Sequence, residues 1–314
     1  FEANWEERIE DFDQMDLKPD LLHGIFSYGF KHPSEIQSLA VKPVLLGRNV
    51  IAQAQSGTGK TGAFSIGILQ NINTEEKTTQ ALVLSPTREL ADQIYSFFQQ
   101  IGQRMQGLQL AIFKGGASVQ QQKDEAQRLP HIVIATPGRA LALIEEGFLR
   151  CENLKMVCLD EADNLLDEGF INQVQEIFKF LKPDIQILLF SATIPLDIFN
   201  LMENFMHDPV KILVKAEQLT LEGIRQFFVN VDKSEYKFPT LLDIYGQLSI
   251  QKAVIFANKK DTVDYLQSEF QKANFEVSAI HGGLEQKERE AIMKNFRTGS
   301  SRVLIATDLL GRGI

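Results

Sequence analysis

The sequence predicts an α/β protein with two domains, each a mostly parallel sheet flanked by helices. Short apolar runs alternate with amphipathic helical segments along most of the chain, the pattern of sheets covered by helices on both faces. A polar stretch, residues 215–223, interrupts this alternation as a predicted linker, and the same architecture then begins again. Motifs rich in glycine, hydroxyl and charged residues follow the strands, where such sheets bind their ligands.

In the first half, residues 1–214, seven short apolar runs have the length of buried strands. The predicted strands are residues 50–52, 81–84, 110–113, 132–135, 156–159, 185–190 and 210–214. The predicted helices between them include residues 60–71, 89–105, 119–128, 171–181 and 196–205. This order predicts a complete α/β domain.

In the second half, residues 224–314, the alternation continues over a shorter length. The predicted strands are residues 226–231, 253–256, 276–279 and 302–306, and the predicted helices are residues 236–248, 262–273 and 285–296. We expect a second, smaller domain of the same class. Because the sequence stops soon after the last of these strands, we expect this domain to be incomplete at its C-terminus.

Composition sets the limits within which a function can be sought. The 314 residues are 44% apolar and 23% charged, which is typical of a soluble globular protein. No apolar run is long enough to span a membrane, and the acidic N-terminus does not resemble a secretory signal. The two cysteines, Cys151 and Cys158, are expected to be unpaired thiols rather than a zinc site or a disulfide. A net charge of −9 argues against non-specific binding of nucleic acid, but permits a groove with local phosphate sites.

The segment AQSGTGKT has the pattern of a phosphate-binding loop. Its residues are Ala54, Gln55, Ser56, Gly57, Thr58, Gly59, Lys60 and Thr61. A glycine-rich loop between a strand and a helix presents backbone N–H groups to phosphates, Lys60 would reach the β- and γ-phosphates, and the Thr61 hydroxyl would bind Mg²⁺. The generic pattern begins with glycine, and Ala54 departs from it.

The segment DEAD at residues 160–163 supplies carboxylates, which the phosphate loop does not contain. It follows the predicted strand 156–159. Hydrolysis of a nucleoside triphosphate needs a carboxylate on the metal and a group that orients the attacking water. Asp160 and Glu161 are the candidates for these two roles.

Three further motifs follow predicted strands: PTREL, a pair of glycines, and TPGR. Their candidate phosphate-binding residues are Pro86, Thr87, Arg88, Gly115, Gly116, Thr136 and Arg139. Any one of these motifs is explained as well by ordinary helix capping, with Thr87 and Thr136 as caps and Arg88 paired with a carboxylate. Three motifs on the ligand side of one sheet favour a track for a polyphosphate chain.

Other polar positions have both a functional and a structural interpretation. Ser191 and Thr193 of SAT would cap a helix, or would link the nucleotide site to the neighbouring surface. Gln37 of GFKHPSEIQ could read an adenine edge through its amide, and Phe12 could stack on the base. Alternatively, this segment is a helix cap at Ser34, and Phe12 belongs to the core. In the second half, Asn258 and Lys259 end a predicted strand as possible phosphate contacts. We expect His281 to be structural, not a general base.

Taken together, these motifs resemble those of the DEAD-box RNA helicases over nearly the whole chain. The matching segments, in family order, are Phe12, GF-x-x-P-x-x-IQ, AQSGTGKT, PTREL, GG, TPGR, DEAD, SAT, VIFANK, HG-x-x-x-Q-x-x-R and ATDLLGRGI. Within the family, the resemblance is greatest to the helicases of translation initiation. The family continues beyond ATDLLGRGI with a motif that supplies arginine fingers, and this motif lies beyond the end of the sequence.

The resemblance implies two RecA-like domains that close over ATP on one side and single-stranded RNA on the other. The implied nucleotide-binding residues are Phe12, Gln37 and residues 54–61, with Thr61 and Asp160 on Mg²⁺. The implied catalytic residues are Lys60, Thr61, Asp160, Glu161, Ser191 and Thr193. Glu161 would activate water, and the SAT hydroxyls would couple hydrolysis to strand separation.

The resemblance also implies a set of RNA-backbone contacts with little base preference. Their positions are Pro86, Thr87, Arg88, Gly115, Gly116, Thr136, Arg139, Asn258, Gly282, Gln286 and Thr307. One departure is Lys260, where relatives often have arginine, so a bidentate phosphate contact is not expected there.

These observations leave three functional hypotheses. The first is an RNA-dependent ATPase that opens short RNA duplexes in translation initiation. It would be a cytoplasmic monomer that binds a scaffold or initiation-factor protein and does not associate with a membrane. The second is an ATP-gated RNA clamp in a nuclear assembly of the exon-junction type. The third is a phosphate-loop enzyme for a small molecule, whose turnover RNA would not change.

Overall fold

The computed structural model of the chain describes residues 3–166, 169–213 and 225–307. The chain divides into two compact units, residues 1–222 and residues 223–314. Each is a parallel sheet with helices packed against it, so the predicted fold class is confirmed. The predicted linker, residues 215–223, lies outside the described residues, as do residues 308–314 of the last motif.

One sheet of seven strands organises the described part of the first unit. Its strands are β1 (Val50–Gln53), β2 (Ala81–Leu84), β3 (Leu110–Phe113), β4 (Ile132–Ala135), β5 (Met156–Asp160), β6 (Gln186–Ser191) and β7 (Val210–Leu213). They are ordered β3-β4-β2-β5-β6-β1-β7, and every pairing is parallel. The predicted ends of β2, β3 and β4 are those observed, β1 and β5 each extend one residue further, and β6 is shifted by one residue at both ends. The predicted last residue of β7, residue 214, lies outside the described residues.

The helices of the first unit follow a short 3-10 turn at Phe12–Met15. They are α1 (Pro19–Tyr28), α2 (Glu35–Leu45), α3 (Lys60–Asn71), α4 (Arg88–Ile101), α5 (Val119–Ala126), α6 (Pro137–Glu145), α7 (Ala162–Leu165), α8 (Ile171–Lys179) and α9 (Leu196–Glu203). The prediction extended α4 to residue 105. The helix ends at Ile101 because Gly102 and Gly107 bracket a tight turn there, in which Met105 N donates to Gly102 O.

Alternation along the strands divides the first unit into two apolar cores, one on each face of the sheet. Ala81 and Val83 of β2 pack into one core, whereas Leu82 and Leu84 pack into the other. Central strands buried on both faces are typical of parallel sheets. Both cysteines are buried free thiols, and burial raises the pKa of Cys151 to about 11.

Helices α1 and α4 approach each other closely at a glycine. An ideal Cβ on Gly24 would lie 1.8 Å from the carbonyl oxygen of Ile101. Because no side chain fits in that space, the packing of α1 on α4 requires glycine at this position. These two helices cover the sheet face that also carries α3, the helix of the phosphate loop.

The described part of the second unit has a smaller sheet. Its strands are β8 (Ala253–Phe256), β9 (Ser278–Ile280) and β10 (Val303–Ala306), ordered β8-β10-β9 with parallel pairing. A 3-10 turn at Ser234–Tyr236 leads into the helices α10 (Lys237–Gln247), α11 (Lys260–Lys272) and α12 (Gln286–Thr298). None of the described helices is long and apolar enough to cross a bilayer.

The predicted strand at residues 226–231 is wrong. The segment has no ladder partner among the described residues, and Phe227 and Phe228 are 85% and 91% exposed. An apolar, β-branched run satisfies the local requirement for a strand, but a strand also needs a neighbour that accepts its backbone hydrogen bonds. Local sequence carries no information about that neighbour.

Candidate active site

The phosphate loop joins β1 to α3 and is shaped by two glycines. Gly57 and Gly59 have φ values of +80° and +104°, in the left-handed region where a Cβ is unfavourable. Lys60, the first residue of α3, is buried, and its ammonium group donates to the carbonyl oxygen of Ala54 at 2.6 Å. The loop therefore ends at a helix N-terminus with a buried cation, an arrangement suited to binding an anion.

Two acidic residues lie at the carboxyl end of β5. Asp160 and Glu161 are 3% and 7% exposed. Burial, together with the neighbouring Glu161 carboxylate, raises the pKa of Asp160 to about 7, and the nearby Lys60 opposes this shift. Asp160 Oδ1 accepts a hydrogen bond from Glu161 N at 3.0 Å. A buried carboxyl with this pKa has too little compensating positive charge around it, which suits a position that receives a cation.

Glu161 has an unusual backbone conformation for a residue with a side chain. Its φ and ψ are 52° and 53°, in the left-handed region, which costs about 1–3 kcal/mol and persists only where the surroundings enforce it. The conformation starts α7 directly after β5, and Asn164 Nδ2 donates to the Glu161 carboxylate at 3.3 Å. The fold thus holds this carboxylate in a fixed direction next to Asp160.

Hydrogen bonds tie the DEAD segment to the SAT segment on the adjacent strand. Ser191 is fully buried at the end of β6, and its hydroxyl accepts from Asp163 N at 3.2 Å. Thr193 Oγ1 donates to Asp163 Oδ2 at 2.6 Å. On the next strand, β1, the Gln53 amide donates to Ala192 O at 3.2 Å. The phosphate loop, SAT and DEAD therefore occupy three neighbouring strands, β1, β6 and β5.

The two residues considered as adenine contacts, Phe12 and Gln37, take the positions of the alternative interpretation, a core aromatic residue and a helix cap. Phe12 is 1% exposed, with its ring stacked on Phe30 and edge-on to Phe26, so it is a core residue and cannot stack on a base in this conformation. The Gln37 amide is 2% exposed, accepts from Ser34 N and donates to Gly59 O at 3.2 Å. Gln37 thus connects the capping box of α2 to the phosphate loop.

Phe30 is an aromatic residue that sequence reasoning did not single out for the site. An ideal Cβ on Gly62, in the first turn of α3, would lie 3.3 Å from the Phe30 ring and 2.3 Å from the Gln37 amide. Phe30 is half-buried, whereas Phe12 behind it is fully buried. The signal was present in the sequence, because Phe30 belongs to GFKHPSEIQ, the segment that contains Gln37.

The candidate RNA contacts of the first unit gather at the other half of the same sheet edge. PTREL, the glycine pair and TPGR follow β2, β3 and β4, which are neighbours in the order β3-β4-β2. Thr136 N donates to Phe113 O at 3.0 Å, and an ideal Cβ on Gly115 would lie 2.8 Å from Arg88 Nη2. The Arg88 guanidinium therefore lies against Gly115. Thr87 also caps α4, accepting from Leu90 N at 3.2 Å, as the alternative interpretation predicted.

Gln122 is a second residue that sequence reasoning missed. Its side chain is 4% exposed, accepts from Lys114 N and donates to Lys114 O, both at 3.0 Å. Both halves of the amide thus fix the chain immediately before Gly115. Gln122 lies in the run QQQKDEA, where nothing distinguishes it from its polar neighbours, so the sequence carried no signal for this role.

The candidate RNA contacts of the second unit follow its three strands. Asn258 follows β8, Thr307 follows β10, and Gly282 follows β9. Thr307 N donates to Ile280 O at 3.3 Å, and Ala257 N donates to Ala306 O at 2.9 Å, which holds the three strand ends together. Gln286 begins α12, and its side chain lies outside the described part of the structure.

Comparison with known proteins identifies the family. The DEAD/DEAH box helicase model matches residues 34–201, and the helicase conserved C-terminal domain model matches residues 236–314. The chain belongs to the DEAD-box family of ATP-dependent RNA helicases.

Curated relatives match this DEAD-box helicase over its whole length. The eukaryotic initiation factor 4A of Drosophila melanogaster is 51% identical over 313 residues, which cover 100% of this chain and 77% of the relative. The ATP-dependent RNA helicase eIF4A of Pyricularia oryzae is 50% identical and 79% covered. Both the family and the resemblance to translation-initiation helicases are thus confirmed.

Solved structures match this helicase at similar coverage. Saccharomyces cerevisiae Dbp5 L327V bound to RNA and ADP BeF3 is 34% identical, with a TM-score of 0.89 over 98% of this chain and 78% of that chain. A DEAD box protein from Methanococcus jannaschii is also 34% identical, with a TM-score of 0.63 over 98% of this chain and 82% of that chain.

Proposed function

We propose that this DEAD-box helicase is an RNA-dependent ATPase that binds single-stranded RNA and opens short RNA duplexes in translation initiation. The main support is the division of one sheet edge into two neighbouring sets of motifs. The phosphate loop, SAT and DEAD follow β1, β6 and β5, whereas PTREL, the glycine pair and TPGR follow β2, β3 and β4. Sequence identity of about 50% to initiation factor 4A proteins supports a role in translation initiation.

In this proposal the nucleotide site consists of the phosphate loop and the segment around Gln37. The loop N–H groups and Lys60 bind the phosphates, so Lys60 exchanges its bond to Ala54 O for phosphate oxygens. Phe30 replaces Phe12 as the ring available to the base, because Phe12 is enclosed by other aromatic rings. Gln37 contributes indirectly, by connecting α2 to Gly59.

The residues present also fit a magnesium ion. Asp160 is a buried carboxyl whose pKa of about 7 reflects the shortage of positive charge around it, and Thr61 offers a hydroxyl in the first turn of α3. Mg²⁺ takes few protein ligands when substrate phosphates and water complete its shell. Bound Mg²⁺ would neutralise charge on the phosphates. Thr61 and Asp160 are its proposed ligands.

Glu161 is the proposed water-activating group. Its backbone is fixed in the left-handed region, and its carboxylate accepts a hydrogen bond from Asn164, so its direction is set before substrate binds. A carboxylate in this position can orient a water molecule and accept its proton during attack on the γ-phosphate. Ser191 and Thr193 couple this event to the RNA side, since both contact Asp163.

The proposed RNA contacts are made with the backbone. In the first unit they are Pro86, Thr87, Arg88, Gly115, Gly116, Thr136 and Arg139, and in the second they are Asn258, Gly282, Gln286 and Thr307. Contacts of this kind discriminate poorly among bases, and reading the ribose 2′-hydroxyl would distinguish RNA from DNA. The proposed setting is the cytoplasm, with a scaffold or initiation-factor partner.

The test is ATP turnover by the purified protein, alone, with single-stranded RNA, and with DNA of the same sequence. RNA should stimulate turnover, DNA should not, and a short RNA duplex should lose its labelled strand in an ATP-dependent manner. Equal turnover with and without RNA would contradict the proposal. A stable complex that retains ATP and RNA only when protein partners are added would instead indicate an ATP-gated clamp.

A further inference from the structure

The turn after β9 contains a buried histidine bonded on both sides. His281 is 7% exposed, and its Nε2 lies 3.0 Å from Asp264 Oδ1 on α11. On the other side of the ring, Nδ1 accepts a hydrogen bond from Gly283 N at 3.1 Å. One imidazole therefore connects a helix to the main chain two residues beyond itself.

These two contacts determine the tautomer of the ring. A backbone N–H can only donate, so Nδ1 must carry a lone pair. The ring proton is then on Nε2, where it donates to the Asp264 carboxylate. Asp264 thus selects the form of His281 that can hold Gly283.

The bond from Gly283 to the ring fixes the shape of the turn. Gly282 lies between the two bonded residues, and an ideal Cβ there meets nothing within 4 Å. Leu284 N also donates to His281 O at 3.2 Å, and Thr307 N donates to Ile280 O next to the turn. Gly282 is therefore an open backbone position between the two residues that this hydrogen bond joins, in the turn that follows the contact between Ile280 and Thr307.

We infer that His281, held by Asp264, is a positioning residue that presents the Gly282 backbone to RNA. This inference rests on the proposed function, in which Gly282 and Thr307 contact the RNA backbone. An alternative is that the Asp264–His281 pair only anchors α11 to the sheet. The two interpretations depend on different ring nitrogens of His281. Positioning requires Nδ1, which accepts from Gly283, whereas anchoring requires Nε2, which donates to Asp264.

Two substitutions separate these nitrogens. In His281→Asn, the amide oxygen takes about the place of Nδ1 and can still accept from Gly283, but the bond to Asp264 is lost. In His281→Gln, the amide nitrogen takes about the place of Nε2 and keeps the bond to Asp264, but the acceptor for Gly283 is lost. The measurement is the KM for single-stranded RNA and kcat in the ATPase reaction, with thermal unfolding of each variant.

We expect His281→Gln to raise the KM for RNA by about three- to tenfold, the effect of one lost hydrogen bond, with a smaller change in kcat. His281→Asn should stay within about twofold of the unsubstituted protein, provided that a retained acceptor is what the turn requires. Equal KM values for the two variants, or a larger effect of His281→Asn, would overturn the inference.

Substitutions at Asp264, whose side chain is 57% exposed, test the same inference without disturbing the core. Asp264→Asn keeps an oxygen acceptor for Nε2–H and should retain the KM for RNA. Asp264→Ala should raise it, because without Asp264 the ring is free to take the tautomer in which Nδ1 carries the proton and cannot accept from Gly283. The control is Glu276→Ala, which removes one negative charge before the opposite end of β9. Equal KM values for Asp264→Ala and Asp264→Asn would overturn the inference even if the His281 variants fail to fold.

Failure of the proposed function gives a different result. If RNA does not stimulate ATP turnover by the unsubstituted protein, the proposed function is wrong, and the inference falls with it. If RNA stimulates turnover and His281→Gln retains the KM for RNA of the unsubstituted protein, only the inference is wrong.

Discussion

The two units use similar strands but bury them to different extents. In the first unit, β2, β4, β5 and β6 are buried along their whole length. In the described part of the second, β8 is only partly buried, Phe256 at its end is 51% exposed, and α10 has no buried residue. The candidate catalytic residues lie in the better-packed unit. Only a well-packed fold can hold Lys60, Asp160 and Glu161 buried and keep the strained backbone of Glu161.

The largest change is expected from a substitution in the first unit that slows ATP turnover without preventing the binding of ATP or RNA. Glu161→Gln keeps the shape of the side chain but removes the base, so turnover should fall by roughly 10²–10⁴-fold. Affinities for ATP and RNA should stay within a few-fold, measured by calorimetry and by fluorescence anisotropy. Glu276→Gln in the second unit is the control for a lost carboxylate. Turnover at the unsubstituted rate in Glu161→Gln would exclude Glu161 as the water-activating group.

Asp160 gives the next effect, in the dependence of stability on pH. Its pKa is raised from 3.8 to about 7 in the folded state, so between these values the folded protein holds a proton that the unfolded chain has lost. Stability therefore falls as pH rises through this window, by up to about 1.4 kcal/mol per pH unit, and the loss is complete above pH 7.

Asp160→Asn tests this expectation because the amide is neutral at every pH. At or below about pH 3.8 the Asn variant and the unsubstituted protein should have similar stabilities, and the variant should become progressively the more stable as the pH rises to 8. Urea unfolding without nucleotide, at several pH values, measures the difference. A constant difference from pH 5 to pH 8 would show that Asp160 does not titrate in this range.

The match between prediction and structure depends on how local the determinants of each element are. Strands β2, β3 and β4 have their predicted ends because each is an apolar run bounded by polar residues, and that local pattern is sufficient whether both faces are buried, as in β2 and β4, or mainly one, as in β3. The predicted strand at residues 226–231 was wrong because strand formation depends on a partner elsewhere in the chain. The helix predicted at 89–105 was too long, because the helix ends at Ile101 and Gly102 is its C-cap.

Some residues of the candidate site were likewise predictable from local sequence, and others were not. The phosphate loop and DEAD were predictable because each follows a strand directly and carries its chemistry in consecutive residues. A buried Phe12 and a structural His281 were open interpretations of the sequence, but the contacts that Phe12, Gln122 and His281 make were not predictable, since each depends on the fold. Side-chain identity shows which bonds a residue can make, but only the fold shows which it does make.

A smaller effect tests how tightly the first unit is packed. Gly24→Ala would place a methyl group 1.8 Å from the Ile101 carbonyl, so α1 and α4 must move apart, at a cost of about 1–3 kcal/mol. The chain has a single tryptophan, Trp5, which packs on the core that contains α1. Its fluorescence should therefore report a lower midpoint of thermal unfolding for the first unit. An unchanged tryptophan transition would show that the contact is loose.

The smallest expected effect is the matched substitution in the second unit. Gly246 lies in α10, and an ideal Cβ there meets nothing within 4 Å. Alanine has the higher helix propensity, so Gly246→Ala should stabilise the second unit by about 0.5–1 kcal/mol. Calorimetry of the whole chain should show a higher transition for the second unit, while the Trp5 transition stays in place. A loss of stability in Gly246→Ala would mean that this face of α10 is covered in solution, and that the second unit is better packed than its exposed residues indicate.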